Sequence, residues 1–418
     1  MYQSDIQHPS EQLQQKLYTL YTLNRDKKID LSFRPPYLGL LEKLGNPHLK
    51  LPPVIHVAGT NGKGSIIAAM RSILEHAGYN VHVYTSPHLI RFNERILLAG
   101  KPIDDEPLED LIDEVLELNG DGDLTFFEIT TAIAFAAFSR TPADICLLEV
   151  GMGGRLDCTN VIEQPLAAII SAIGMDHAEH LGDTIEKIAA EKAGIIKAGA
   201  PCIISPQYDD SVHNVFENRA AELSCDLHNI KVGNEQHQTN LVGPHQQQNI
   251  ATALSALNQI KDKFPVQDDH IKNGLKNIYW PARLQQLEAQ HFGLDENFEV
   301  YLDGGHNAAA GQALSAQMEQ WTDKPNILIT GMMDGKDSHA FAAPIIKHCK
   351  AVYCVNIVDE PKSLTAEQLQ SLIGSGECKH SFRDAITDGK KQFPDGARIL
   401  IAGSLYLAGQ VLADIAHL

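Results

Sequence analysis

Residues 54–76 read V-I-H-V-A-G-T-N-G-K-G-S-I-I-A-A-M-R-S-I-L-E-H. An apolar run over 54–57 is followed by a glycine-rich turn and then by helical periodicity over 66–76, so the segment reads strand, loop, helix. A turn in that position directs backbone N–H groups inward at a helix N-terminus, which suits an anion, and Lys63 adds a point charge for terminal phosphates. The spacing is irregular for such a loop. Two residues separate Gly59 from the Gly62-Lys63 pair, and Gly64 stands between Lys63 and the hydroxyl of Ser65. A glycine turn that holds no ligand is the competing reading.

Outward from this segment, short apolar runs at 81–84, 145–150 and 167–171 alternate with helical patterns at 106–118 and 130–138. The last of these is apolar enough to be buried on most sides. A polar helical opening spans 11–23. This alternation predicts parallel strands with crossover helices, an open, doubly wound α/β sheet carrying the phosphate loop. A second, smaller α/β series follows residues 289–297, with strands at 298–303, 326–332, 351–358 and 398–402 and helices at 308–321 and 365–372. The boundary is expected near 286–297, giving domains 1–288 and 297–418, and a cleft between two such domains is the default place for chemistry.

With 418 residues the chain can build two cores, and it has enough core to stand as a monomer. A net charge of −19 argues against nucleic acid or an anionic membrane as partner, so a polyanionic ligand must be met by local cations. No apolar stretch approaches the roughly 18 residues of a membrane span, and the first ten residues lack a basic start and an apolar core, so a cytoplasmic location is expected. Seven cysteines without a C-x-x-C pair fit a reducing compartment and make structural zinc an unattractive reading.

Several residues stand where chemistry would be done, at the carboxyl ends of strands. In T-S-P-H-L, Ser86 follows the strand at 81–84, and its hydroxyl could ligate magnesium or simply form a turn. In L-L-E-V-G-M-G-G-R-L-D, Glu149 ends an apolar strand; a buried carboxylate needs a cation, either Mg²⁺ or Arg155. In G-M-D-H-A-E-H-L-G, Asp176, His177 and His180 could approach the same place, His177 standing nearest the strand, with a structural role as the alternative. Asn249 starts a helix, and Arg283 has the planar fork that suits phosphate. Asp303 and His306 follow a strand of the second domain, where Asp303 reads as a nucleotide contact or a helix cap. Phe126 and Phe127 could stack on a flat heterocycle or belong to a core. Lys192 cannot be told from its neighbours Lys187 and Lys197 by pattern.

Eight segments, G-T-N-G-K-G-S, T-S-P-H-L, E-V-G-M-G-G-R-L-D, D-H-x-x-x-L-G, E-K-A-G-I, H-Q-x-x-N, W-P-A-R and D-G-G-H-N, occur in order over roughly residues 28–410. In this the chain resembles the folylpolyglutamate synthase and dihydrofolate synthase family, relatives of the Mur peptide ligases. The resemblance implies a Mur-ligase-like ATP-binding domain followed by a Rossmann-like glutamate-ligase domain. It implies that Thr60, Asn61, Gly62, Lys63, Gly64 and Ser65 hold ATP phosphates, completed by Asn249, Arg283 and Asp303. It implies Mg²⁺ on Ser86, Glu149 and His177, and a carbamylated Lys192 as an anionic ligand. His306, with Lys63, Lys192 and His177, would serve catalysis, and His306 or Asp303 would couple nucleotide binding to domain closure.

Members that make dihydrofolate carry I-D-L-G near the N-terminus, which Asp30, Leu31 and Ser32 match except for the serine. Thr125, Phe126, Phe127 and Glu128, with Leu156, Asp157 and Cys158, match the other pteroate contacts. D-G-G-H-N replaces the familiar D-A-H-N and leaves Asp303 and His306 in place. The reaction so implied joins L-glutamate to dihydropteroate and to reduced folates at the expense of ATP, through an acyl phosphate. The alternatives are a folylpolyglutamate synthase alone, a Mur-type peptide ligase, and a non-enzymatic ATP-binding switch.

Overall fold

A computed structural model of the chain describes residues 8–23, 35–231 and 237–416. Asp30, Leu31 and Ser32 lie outside the described residues. His8–Asn240 with Gln247–Tyr279 form one compact unit, and Leu241–Gln246 with Trp280–Leu418 form the other.

The first unit is built on a sheet whose order, edge to edge, is Lys101–Pro102, Ile96–Leu98, Val81–Tyr84, Ile145–Glu149, Val54–Ala58, Ala167–Ile170, Cys202–Ile204, Leu227–Asn229. The six strands from Val81–Tyr84 to Leu227–Asn229 are parallel, and at one end Ile96–Leu98 pairs antiparallel with both Val81–Tyr84 and Lys101–Pro102. Val54–Ala58 is buried at every position because it is flanked on both sides and covered on both faces, which is why it reads as a continuous apolar run. The chain leaves it for Val81–Tyr84 and later returns to Ala167–Ile170 on its other side. Its carboxyl end is therefore a topological switch point, where open α/β sheets take ligands.

The helix after the loop begins at Lys63 rather than at residue 66, so Lys63, Gly64 and Ser65 form its first turn. The apolar helix likewise begins earlier than expected, spanning Phe126–Arg140. Thr125 caps it, and Glu128 returns a carboxylate to the Thr125 N–H and hydroxyl, each at 2.7 Å, a capping box that moves the start back by four residues. Every side chain from Glu128 to Phe138 is buried.

The second unit's sheet runs Glu377–Lys379, Ala351–Val355, Asn326–Thr330, Arg398–Ala402, Glu299–Leu302, Gln285–Leu287. Its last strand is antiparallel, Leu287 facing Val300 and Gln285 facing Leu302. The unit's long continuous run thus starts at Trp280, ahead of the boundary expected at 286–297, with Leu241–Gln246 also belonging to it. A three-residue strand has too little periodicity to be seen in sequence, and its partner lies beyond the loop that suggested the boundary. Among the described residues, no helix is long and apolar enough to cross a membrane.

Candidate active site

The glycine loop is held open by its neighbours. Gly59 has φ 144°, and a Cβ there would fall on the Ser171 side chain at the end of the adjacent strand. Gly62 has φ 95°, and a Cβ would lie 2.5 Å from Asn249 Oδ1, so Asn249 rests directly on the loop. Thr60 and Asn61 donate their N–H groups to Ala172 O at 3.0 and 3.1 Å, and the Thr60 hydroxyl bonds Gly174 O at 3.1 Å. Ile66 is the first residue to close a helical turn, on Gly62 O at 2.9 Å. By helix geometry, the N–H groups of Lys63, Gly64 and Ser65 point out of the helix start, the arrangement that meets an anion.

Lys63 folds over this loop. Its Nζ donates to Gly59 O at 3.2 Å and Thr60 O at 3.4 Å and stands 3.6 Å from Glu149 Oε1. Glu149 is 5% exposed, and its Oε2 accepts the Ser86 N–H at 3.3 Å. The structure therefore brings Lys63, Ser86 and Glu149 together, as the strand register requires: Val57 pairs with Glu149, and Tyr84 lies beside Leu148. Arg155, the rival partner for Glu149, is instead bound to Glu191 at 2.8 Å.

Lys192 is singled out by burial. It is 5% exposed, and its Nζ donates to Gly59 O at 2.9 Å, on the same carbonyl that Lys63 uses. Burial chiefly, and then the charge of Lys63, push its pKa down to about 7, while Asp176 and Asp157 oppose the shift. Lys187, by contrast, is an exposed partner of Asp183. The lysine that pattern could not distinguish is thus the one at the loop.

His177 is exposed, with φ 51°, at the start of the short helix Ala178–Leu181. Its ring nitrogens lie 4.0 Å from Asp176 and 3.9 Å from Glu179. Among the described residues, no three His, Cys, Asp or Glu side chains gather as a metal-binding group. Only two of the three proposed ligands belong to those types.

The residues matched to pteroate contacts divide. Asp157 is buried and spends its carboxylate on its own loop: Oδ2 accepts Met152 N–H at 2.9 Å, and Oδ1 accepts the Thr159 N–H at 3.0 Å and hydroxyl at 2.5 Å. Burial pushes its pKa up against those hydrogen bonds. Thr159 in turn receives a hydrogen bond from His56 Nε2 at 2.9 Å, since the hydroxyl proton is already committed to Asp157. Leu156 is half-buried beside it. Cys158 donates to Thr131 Oγ1 at 3.1 Å, and burial holds its thiol well above the ordinary range. Phe126 is stacked on Tyr21 with centroids 3.9 Å apart, and a Cβ at Gly151 would fall inside the Phe127 ring.

In the second unit, Asp303 is 5% exposed and takes two backbone donors, Gly305 N–H at 2.7 Å and Leu284 N–H at 2.9 Å. Gly304 N–H donates to Ala282 O at 2.9 Å. These bonds lock the W-P-A-R and D-G-G-H-N segments together and set Arg283 beside Gly304, where a Cβ would lie 2.9 Å from Nη1. His306 Nδ1 must donate to Gly304 O (3.0 Å), a pure acceptor, which leaves Nε2 with the lone pair in the neutral ring. His245 joins this group: burial lowers its pKa, with Asp303 opposing and Arg283 reinforcing the shift. Sequence reasoning passed over His245, although it stands in the same H-Q-Q-Q-N segment as Asn249.

Two family models match the chain, the Mur ligase middle domain over residues 57–252 and the Mur ligase glutamate ligase domain over 283–405. The chain is 34% identical to the dihydrofolate synthase/folylpolyglutamate synthase of Bacillus subtilis over 89% of its own length and 92% of that protein's. It belongs to the dihydrofolate synthase/folylpolyglutamate synthase family. Escherichia coli FolC in complex with DHPP and ADP has the same fold, with TM-score 0.85 and 30% identity over 98% of each chain. So does the bifunctional synthase of Yersinia pestis complexed with AMPPNP and Mn ion, with TM-score 0.84 and 28% identity over 96% of this chain and 97% of that one. The enzyme is thus an ATP-dependent ligase of the Mur type.

Proposed function

We propose that this ligase adds L-glutamate to dihydropteroate, giving dihydrofolate, and extends reduced folates at their γ-carboxylate. The observation that carries the reading is the convergence of Lys63, Glu149, Ser86 and buried Lys192 on one phosphate-type loop. In the first step an oxygen of the acceptor carboxylate attacks the γ-phosphorus of ATP, the bond to the β-phosphate oxygen breaks, and ADP leaves. In the second the neutral amine of glutamate attacks the acyl phosphate carbon, the carbon–oxygen bond to phosphate breaks, inorganic phosphate departs, and the nitrogen gives up one proton as the amide forms. Lys63 and the first-turn N–H groups neutralise charge on the transferring phosphoryl group, where positioning and electrostatics dominate catalysis. Asn249, Arg283 and Asp303 contribute to nucleotide binding, Asp303 by fixing the Arg283 loop. His306, whose Nε2 carries the lone pair, is suited to take a proton from the incoming amine.

The donor set fits a divalent cation, and we assign it Mg²⁺: Glu149 supplies a buried carboxylate and Ser86 a hydroxyl, both hard oxygens, with His177 as third candidate. When bound, Mg²⁺ supplies charge neutralisation on the phosphoryl oxygens. Lys192 is proposed to be carbamylated. Its depressed pKa provides the neutral amine that carbon dioxide requires, and a carbamate would replace a cation crowded against Lys63 by an anion attracted to it.

The test is phosphate release with ATP and glutamate, comparing dihydropteroate, tetrahydrofolate and a UDP-sugar peptide. Release with both folate-type acceptors is expected. Release with only tetrahydrofolate would reduce the function to polyglutamylation, and release with only the peptide would overturn it.

A further inference from the structure

The strand Ala167–Ile170 runs on into residues 171–174, which support the glycine loop on one side. Ser171 donates its N–H to Ala58 O at 2.8 Å, Ala172 O accepts from both Thr60 and Asn61, and Gly174 donates its N–H to the Thr60 hydroxyl at 3.1 Å. On the other side the neighbouring strand Cys202–Ile204 is ending. Ser205 still donates its N–H to Ile170 O at 2.9 Å, but Pro206 has no N–H with which to carry the ladder further. Gln207 takes its place. Its Nε2 donates to Ser205 O at 2.8 Å and more weakly to Ser171 O at 3.4 Å, while its Oε1 accepts the Ile173 N–H at 2.9 Å. These partners fix which way the side-chain amide faces, since two are carbonyls and one is an N–H.

One peptide unit is therefore bonded at both ends. Between Ala172 and Ile173, the carbonyl holds the Thr60 and Asn61 N–H groups at 3.0 and 3.1 Å, and the N–H is held by Gln207. A trans peptide is planar, so its C=O and N–H point in opposite directions and can only turn together. We infer that Gln207 is a positioning residue of the ligase: by fixing the Ala172–Ile173 peptide plane, it aims the carbonyl that holds the glycine loop in place for the ATP phosphates, the role proposed for that loop above. Ile173 is 2% exposed, so without the Gln207 amide its N–H would be left buried and unpaired. Rotation of the peptide toward a new partner would swing Ala172 O away from Thr60 and Asn61. The post also calls for a neutral amide. A carboxylate there could accept from Ile173 but would set an anion against the carbonyl oxygens of Ser171 and Ser205.

The experiment is Gln207→Met in the full chain, which keeps the side chain's length and removes its amide. The kcat/KM for ATP should fall about 10-fold to 100-fold, while the KM values for glutamate and for tetrahydrofolate stay within about twofold. Amide hydrogen exchange at Thr60 and Asn61 should quicken by about 10-fold, with Leu147 and Leu148 in the adjacent strand unchanged. A glutamine that only stabilises the fold would lower the melting temperature and leave both the ATP kinetics and the loop exchange as they are, and that result would overturn the assignment. The wild-type enzyme gives a second reading that needs no variant: ATP with Mg²⁺ should slow exchange at Ile173 together with Thr60 and Asn61, and an indifferent Ile173 would equally overturn it. Lys63→Ala separates the two levels. Undiminished ATP kinetics in that variant would remove the loop's role and this inference with it; an impaired Lys63→Ala beside an indifferent Gln207→Met removes Gln207 alone.

Discussion

Glu149 and Asp303 carry the same sequence signature, an acidic residue at the end of a buried parallel strand just ahead of glycines, yet the two units use them differently. Asp303 accepts two backbone N–H groups at 2.7 and 2.9 Å and binds two loops of its unit together. The contacts of Glu149 with the Ser86 amide and the Lys63 ammonium are longer, at 3.3 and 3.6 Å. Short backbone bonds mark a carboxylate that organises structure; a carboxylate beside a lysine ammonium at 3.6 Å can exchange that contact when a ligand arrives. Asp157, with bonds of 2.5 to 3.0 Å to its own loop, falls with Asp303.

The sharpest test of the ligand-facing side is Lys63→Ala, which should cost about 1,000-fold in ATP-dependent glutamate ligation, since it removes charge at the transferring phosphoryl group. Far-UV circular dichroism and melting should show a folded protein. Turnover near the wild-type level would end the phosphate role of the loop. Glu149→Gln against Asp303→Asn then tests the comparison directly. The first should lower kcat/KM by about 100-fold with no loss of stability, the range expected when a metal ligand or its support is removed. The second should destabilise its unit by about 1–3 kcal/mol, because an amide cannot accept both backbone donors as well as the carboxylate does. Equal stability losses in denaturant titrations would erase the distinction.

The central strands were legible because they are mostly apolar and buried at every position, as in 54–58 and 398–402. The loop, Glu149 and Ser86 were legible because strand-end positions in an open sheet converge. Other features depend on partners distant in sequence. Lys192 differs from Lys187 only by being buried against Gly59, 133 residues away. Gln285–Leu287 is a strand only because Glu299–Leu302 pairs with it. Phe126 could stack on a substrate ring or belong to a core, and its partner in the fold is Tyr21, remote in sequence.

Lys192 extends the comparison from carboxylates to a lysine that would become one. With a pKa of about 7, its amine is largely protonated below neutral pH and largely free above it. Removal of dissolved carbon dioxide should therefore lower activity by about 10-fold, with bicarbonate restoring it, the loss being steeper below pH 7 than above. Intact mass should change by one carbon dioxide. Full activity with an unmodified amine would return Lys192 to a structural role.

The smallest effect on turnover is expected at His56, which belongs to the organising side. It is fully buried, and burial chiefly, with Lys197 adding, lowers its pKa to about 3 from an ordinary 6.5. Between those values the unfolded chain takes up a proton that the folded one refuses, so stability falls as pH drops through that window and is unaffected above it. Each unit of the difference corresponds to about 1.4 kcal/mol once the pH lies well below the unfolded pKa. His56→Gln can keep the donor to Thr159 and cannot titrate. Its stability should therefore fall less steeply than the wild type's between pH 6 and 4, with neutral-pH activity nearly unchanged. Parallel acid limbs would mean that His56 is not what couples this loop to pH; Asp157 cannot take its place, because its raised pKa makes acid favour the folded chain.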